Sequence, residues 1–308
     1  MHILITGATG LIGKEIVKLC LEKDYKVNYL TTNKSKIDST DKIKGFYWNP
    51  SSNEIDLNCF AGVDTIINLA GAPISKKWTP KYKKEIIVSR TKSIELINNS
   101  LNSIDHKVVF FVTASAIGIY PNSLTNFYDE KETNVDDSFL GEVVKKWEEK
   151  ADILSGHNIQ VAKIRIGLVL SKKGGALPQI TKPIRNYVGS AFGNGKQWQS
   201  WIHINDLARI FLFVIENKLK GIYNGVAPNP VTNKELTKEV AQVLKKPLLL
   251  PNIPQFVMKL VLGEMSYLLF ASQKVSSKKI EDLGFVFNYM HLKSSLQKIL
   301  NKTPGITL

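Results

Sequence analysis

The sequence predicts an α/β fold, a doubly wound parallel sheet with a smaller C-terminal lobe, and three observations predict it. An apolar run, Ile3-Leu4-Ile5-Thr6, opens directly into a glycine-rich turn and then into a helical pattern. Short apolar runs and helical periods alternate after it, at a spacing that fits right-handed crossovers between parallel strands. From about Ser171 this alternation gives way to Gly and Pro punctuation, which marks a change of architecture.

The turn, Gly7-Ala8-Thr9-Gly10-Leu11-Ile12-Gly13, carries most of the information. Its glycines permit a tight bend, and the helix that starts at Leu11 presents free N–H groups and a partial positive charge at its first turn. This is the layout of a dinucleotide pyrophosphate site, so Gly7, Thr9, Gly10, Leu11, Ile12 and Gly13 are expected to cradle phosphates. Val27 to Leu30 reads as the second strand. An NAD site commonly places an acid at its end, but Thr31-Thr32-Asn33-Lys34-Ser35-Lys36 has no acid and two lysines. That composition favours a 2′-phosphate, hence NADP(H) over NAD(H), with Thr32 and Lys34 as contacts.

Asp64 to Leu69 reads as a further strand ending at Ala70-Gly71, followed by a long helix with Ile86, Ile87, Ile94 and Ile97 on its apolar side. Val108 to Val112 is a continuous apolar run, as in a parallel strand buried on both faces. Leu69, Ala70 and Gly71 after one strand, and Thr113 and Ser115 after the next, lie at carboxyl ends, where ligands of such sheets bind. Arg90, in the helix between them, is an anion-contact candidate. The next helix carries Phe139, Leu140, Val143, Val144, Trp147, Ala151 and Leu154, and Val161 to Ile166 is another strand, with Ile166 at its end. Gly174 to Gly195 reads as loop-rich. Helical signal returns over Asp206 to Ile215, with Asp206 as an expected N-cap, and a short strand follows at Gly221 to Asn224. Thr232 and Glu235 form a capping box for a helix through Leu244. Phe256 to Ala271, interrupted by Lys259 and Glu264, reads as an amphipathic helix. The expected division is a dinucleotide-binding domain over 1–170 with a return segment about 204–226, and a smaller substrate-binding lid lobe from 171–203 and 227–308.

The 308 residues carry a formal charge of +14, but the lysines are spread along the chain and no nucleic-acid motif accompanies them, so no specific nucleic-acid partner is expected. No apolar stretch reaches the ~18–20 residues needed to span a bilayer, and no membrane partner is expected. No secretory signal is visible, and Cys20 and Cys59 fit neither a disulfide framework nor a metal site, so a cytoplasmic protein without metal is expected. The partner is a small-molecule substrate; nothing in the sequence fixes an oligomeric state.

The glycine turn, Asn68-Leu69-Ala70-Gly71, Thr113-Ala114-Ser115-Ala116 and Arg165-Ile166-Gly167 together resemble an extended short-chain dehydrogenase/reductase with a Rossmann-like core. Further blocks resemble one atypical branch, the epimerase family, described as NAD-dependent or nucleoside-diphosphate-sugar epimerase-like. They include Asn68 to Ile74, Ser89-Arg90, Ser115 to Tyr120, Trp147-Glu148, Gly174 to Leu177, Gly195-Lys196-Gln197-Trp198 with Ser200-Trp201-Ile202-His203, and Ala227 to Asn233. The resemblance spans nearly the whole chain. It implies an NADP(H)-dependent oxidoreductase or epimerase acting on a secondary alcohol or carbonyl, with a nucleotide sugar among the possible substrates.

One part of the enzyme signature is missing. The wider superfamily pairs Tyr and Lys four residues apart on the helix after the serine strand, the Lys depressing the pKa of the Tyr acid/base. Anchored on Glu148, those positions hold Leu140 and Val144, and a one-residue shift puts Lys145 opposite Gly141. Ser115 remains as the candidate catalytic group. Tyr120 either replaces the missing phenol or packs as an ordinary aromatic. Trp198, Trp201 and His203 are candidate substrate contacts, or a semi-buried structural cluster. The broken signature keeps a second reading open, a non-enzymatic NADP(H)-responsive binding protein.

Overall fold

The computed structural model describes residues 1–301. Residues 302–308, the end of the expected lid lobe, lie outside the described residues. In chain order the first elements are β1 (His2–Thr6), α1 (Leu11–Glu22), β2 (Lys26–Thr31), β3 (Ile43–Asn49), β4 (Glu54–Ile55), β5 (Thr65–Asn68), α2 (Pro80–Asn102) and β6 (Phe110–Ala116). Then come β7 (Phe127–Tyr128), α3 (Phe139–Asp152), β8 (Gln160–Ile166), β9 (Leu168–Ser171), β10 (Gly174–Gly175) and α4 (Ala176–Arg185). β11 (Trp198–Gln199), β12 (Trp201–His203), α5 (Ile204–Glu216), β13 (Gly221–Gly225), β14 (Val231–Thr232) and α6 (Asn233–Val243) follow. The chain closes with α7 (Gln255–Leu262), α8 (Tyr267–Phe270), β15 (Lys274–Val275), α9 (Lys278–Asp282) and α10 (Leu292–Leu300).

The chain forms two compact units. The first takes Met1–Ile119, Val135–Arg165 and Ala208–Tyr223. Its frame is an eight-stranded sheet in the order β13-β8-β6-β5-β1-β2-β3-β4. β1 pairs in parallel with both β2 and β5, and β5 with β6, so the strand order reverses beside β1 in the Rossmann-like manner. The central strands are apolar on both faces because helices cover both: Ile3, Leu4, Ile5, Ile66, Ile67, Phe111 and Val112 are all buried. The register sets Thr6, Asn68 and Thr113 side by side at the carboxyl ends of three adjacent strands. β3, which pairs in parallel with β2, is an addition to the sequence reading.

The second unit takes Tyr120–Asn134, Ile166–Leu207 and Asn224–Leu308. It has short strands only: β9 runs parallel to β12 and antiparallel to β10, β11 pairs with β14, and β15 with β7. Its core gathers Leu170, Leu177, Ile184, Trp201, Leu236, Val240 and Leu296. The capping box forms as the sequence predicts: Thr232 accepts the Glu235 N–H and Glu235 accepts the Thr232 N–H, and α6 starts there. Three expectations are corrected. The loop-rich segment contains α4, an amphipathic helix with Pro183 inside it. The segment 256–271 is no single helix, because Gly263 at φ +60° breaks it into α7 and α8. Asp206 lies inside the first turn of α5 and not at its N-cap, and its carboxylate accepts the N–H groups of Asn288 (3.1 Å) and Tyr289 (2.8 Å).

Candidate functional site

In the first unit the glycine turn is built for close approach. Gly7 has φ +69°, a left-handed conformation that glycine adopts without strain, and a Cβ there would lie 3.0 Å from the Leu69 backbone. A Cβ on Gly13 would fall 2.3 Å from the Gly7 carbonyl oxygen, so the first turn of α1 seats directly on the bend. Gly10 is the N-cap of α1, makes no side-chain cap, and no acid occupies the first turn. The helix end therefore keeps its N–H groups and positive potential for an anion. Thr9, Leu11 and Ile12 are half-buried beside it.

A chain of hydroxyl and amide groups holds the neighbouring turn. The Thr6 hydroxyl donates to Asn68 Oδ1 at 2.7 Å and accepts the N–H groups of Leu69 (3.0 Å) and Ala70 (3.1 Å). Asn68 Nδ2 donates to Thr113 Oγ1 at 3.1 Å. Thr113 is thus fully buried and acts on strand ends rather than at an open surface. Gly71 packs on Arg90, where a Cβ would meet the guanidinium carbon at 3.1 Å. Arg90 donates to the carbonyls of Ala72 (3.2 Å) and Ile86 (2.9 Å) and lies 4.9 Å from the Trp147 ring centroid. Its buried Nε has no partner among the described residues, and burial pulls its pKa down to about 10. A half-desolvated cation with an unused N–H at the glycine turns is what a phosphate-bearing ligand would satisfy.

Beside the Thr9 turn lies a cavity of about 570 Å³ lined by Thr9, Lys14, Tyr29, Ser35, Lys36, Ile37 and Asp38. Asp38 caps the Ser39 N–H through Oδ1 at 2.9 Å. Lys34 sits with Nζ 4.8 Å over the Tyr47 ring, and Thr32 is exposed at the end of β2; neither lines the cavity. Lys36 does, together with Lys14 from α1, which reaches the same place from a different element and carried no sequence signal of its own.

Ser115 ends in a buried ionic cluster. Its hydroxyl donates to Glu148 Oε1 at 2.5 Å, and Arg165 grips the same carboxylate, Nε to Oε1 and Nη2 to Oε2, each at 2.9 Å. All three residues are buried. With its O–H donated to Glu148, Ser115 has lone pairs to offer and accepts a hydrogen bond rather than donating one. Sequence reasoning used Glu148 only as an anchor and Arg165 only as a strand end; β6, α3 and β8 converge there, which a linear sequence does not display. Leu140 packs its Cβ over Gly118, and Val144 is buried, so the face that usually carries Tyr and Lys is apolar.

The remaining candidates belong to the second unit, and each is held by structural bonds. Tyr120 is fully buried, stacked on Tyr128 at 5.4 Å, and donates to Asn224 Oδ1 at 2.7 Å. That is the packing arrangement, one of the two readings of Tyr120. Trp201 is a core residue whose Nε1 donates to the Asn229 carbonyl at 2.8 Å. His203 stacks on Tyr289 at 3.6 Å, accepts the Asn205 N–H at Nδ1, and burial lowers its pKa to about 4. Trp198 is half-buried, donates to the Leu124 carbonyl at 3.0 Å, and has Lys274 Nζ 4.2 Å from its ring centroid. Gln197 donates to the carbonyls of Phe192 and Leu269, and Ser200 to that of Gln273. The Gln197-to-His203 block is a brace. Ile166 closes β8 and is half-buried. Among the described residues no three His, Cys, Asp or Glu side chains gather as a metal site would need, and no helix is long and apolar enough to cross a membrane.

Comparison with known proteins agrees with this layout. The NAD dependent epimerase/dehydratase family matches residues 3–139, and a domain of unknown function, DUF1731, matches residues 253–299. The epimerase family protein SDR39U1 homolog, chloroplastic, of Arabidopsis thaliana is 37% identical over 306 residues, covering 97% of this chain and 87% of that one. The crystal structure of human epimerase family protein SDR39U1 (isoform 2) with NADPH superposes with a TM-score of 0.84 at 28% identity, over 97% of this chain and 99% of that one. A nucleoside-diphosphate sugar epimerase from Corynebacterium glutamicum superposes with a TM-score of 0.78 at 25% identity, over 97% of this chain and 58% of that one.

Proposed function

The chain belongs to the epimerase family, and from that premise we propose that it is an NADP(H)-dependent oxidoreductase or epimerase-like enzyme acting on a secondary alcohol or carbonyl of a small molecule. The observation that carries the reading is the cradle: an uncapped α1 N-terminus behind Gly7 and Gly13, with the unused Nε of Arg90 at Gly71. These groups fit a dinucleotide pyrophosphate. The human relative that was crystallised with NADPH supports the phosphorylated cofactor, and so do Lys14 and Lys36 around the Thr9 cavity. A bound nicotinamide supplies the hydride chemistry.

The chain's own part in the reaction falls to Ser115. Because its O–H is donated to Glu148, its oxygen accepts a hydrogen bond from a secondary hydroxyl and orients it. Glu148 and Arg165 hold the Ser115 hydroxyl in that orientation, Glu148 by accepting its O–H and Arg165 by gripping the carboxylate. The Corynebacterium protein's description brings nucleoside-diphosphate sugars into the substrate class to be screened.

A second reading, a non-enzymatic NADP(H)-binding sensor, is favoured by one observation. Leu140 and Val144 leave the positions of the usual Tyr and Lys on α3 apolar, and Tyr120 is engaged with Asn224. One experiment separates the two. NADPH is titrated into the protein by fluorescence, and its oxidation is then followed against a panel of ketones, aldehydes and nucleotide sugars. Binding with turnover that Ser115→Ala abolishes supports the enzyme; binding without turnover on any panel member supports the sensor. Binding of neither NADPH nor NADH overturns both.

A further inference from the structure

The segment that the sequence marks as amphipathic from Phe256 belongs to the second unit. Its first half, α7, reads Gln255-Phe256-Val257-Met258-Lys259-Leu260-Val261-Leu262, apolar on nearly every side. A helix of that composition is normally buried, yet none of its residues is. Phe256 is 72% exposed, Leu260 87% and Val261 64%. Phe256 and Leu260 are four apart and share the outward face. Beside the helix, the strip 187–193 is tied along 246–253. The Ile253 N–H donates to the Ala191 carbonyl, Ser190 Oγ to the Pro251 carbonyl, and Lys246 Nζ to the Tyr187 hydroxyl. That strip adds exposed Val188 and Leu249 to the same region of the second unit.

The charges around this surface are mainly of one sign, exposed Glu264 just past α7 being an exception. Residues 182–193 and 244–262 contain Lys182, Arg185, Lys245, Lys246 and Lys259 and no Asp or Glu. A second copy of the chain would bring these five cations against themselves, which opposes self-association. Phe256 and Leu260 are largely exposed to solvent, as side chains that insert into an apolar medium must be. An apolar, exposed helix rimmed by cations matches a soft apolar medium under a layer of negative charge.

We propose that this face of the second unit docks peripherally on an anionic membrane surface, α7 lying in the headgroup region with Phe256 and Leu260 inserted and the lysines on lipid phosphates. Eight residues at 1.5 Å each make a helix of about 12 Å, far too short to cross a bilayer and suited to lying along it. Lys259, on the same helix, can extend its stem over the apolar face and leave its ammonium at the phosphates.

The test is co-sedimentation of the full chain with vesicles of phosphatidylcholine alone or with roughly 30 mol % phosphatidylglycerol. The bound fraction is expected to rise at least ~10-fold with the anionic lipid and to fall back in about 0.5 M NaCl, where the screening length is short. Phe256→Ser/Leu260→Ser is expected to remove binding without changing the circular dichroism or the thermal transition, since both side chains are exposed. Lys182→Glu/Lys259→Glu is expected to remove the salt-sensitive part. The proposal is overturned by no binding to either vesicle, by equal binding to both, or by undiminished binding of the serine pair. It is equally overturned if the chain self-associates in solution and the serine pair abolishes that association, because a second copy then covers the face.

Discussion

Replacing Arg165 by Met should be the most damaging single change in the first unit that leaves its apolar core intact. The guanidinium supplies two 2.9 Å bonds to Glu148, and both residues are more than nine-tenths buried. Without it, the Glu148 carboxylate keeps one donor, the Ser115 hydroxyl, and has no solvent to replace the lost pair. Removing one partner of a buried ion pair typically costs about 3–5 kcal/mol, and two lost charge-assisted hydrogen bonds at about 1.5–3 kcal/mol each give the same range. Desolvation was already incurred for the pair, so replacing both partners should be far milder. Glu148→Leu/Arg165→Met should recover most of the loss, leaving a deficit of about 1 kcal/mol from the Ser115 hydroxyl that loses its acceptor. Urea unfolding followed by tryptophan fluorescence and by circular dichroism measures both variants. A cost below about 1 kcal/mol for Arg165→Met, or a double variant no better than the single, refutes the reasoning, because the cluster would then be solvated rather than dry.

Other outcomes follow from the same geometry. Gly13→Ala puts a Cβ 2.3 Å from the Gly7 oxygen, so it should cost about 1–3 kcal/mol of stability by overpacking. It should also weaken NADPH binding at least ~10-fold; an unchanged titration would mean that the turn holds no phosphate. Lys14→Ala and Lys36→Ala should each lower NADPH affinity by roughly 5- to 10-fold while leaving NADH affinity alone, read as a ratio of dissociation constants. Lys34→Ala, away from that cavity, should leave the ratio unchanged. His203, held neutral with a pKa near 4, binds fewer protons folded than unfolded between about pH 6.5 and 4, so wild-type stability should fall as pH drops through that window. His203→Phe, which keeps the stack on Tyr289, should flatten that part of the curve, and a curve identical to wild type would place the acid sensitivity elsewhere.

How much of this was legible beforehand depended on how local the signal is. The glycine turn, the capping box of α6 and the buried strands announce themselves within a few residues, because turn chemistry and apolar runs are local properties. β3 escaped because Ile43-Lys44-Gly45-Phe46-Tyr47-Trp48-Asn49 mixes a charge and a glycine into a strand near the sheet edge. α4 escaped because Pro178 and Pro183 are ordinarily helix breakers; Pro178 sits in its first turn, where no intrahelical N–H is needed. The site shows the same limit more sharply. Lys34 was preferred to Lys36 on sequence alone, and only the turn capped by Asn33 decides which lysine faces the Thr9 cavity. Trp201 and His203 share a motif-like block with Trp198, but their neighbours Asn229 and Tyr289 come from far along the chain and make them structural. The Ser115–Glu148–Arg165 cluster depends on three elements meeting, and no spacing rule could have predicted it.

A paired titration of the full chain with NADPH and NADH by isothermal calorimetry tests most directly the proposal that the first unit is an NADP(H) cradle. One site per chain and at least ~10-fold tighter binding of NADPH are expected, a preference worth about 1.4 kcal/mol for the added phosphate. Heat from neither ligand, or a preference for NADH, would contradict that proposal.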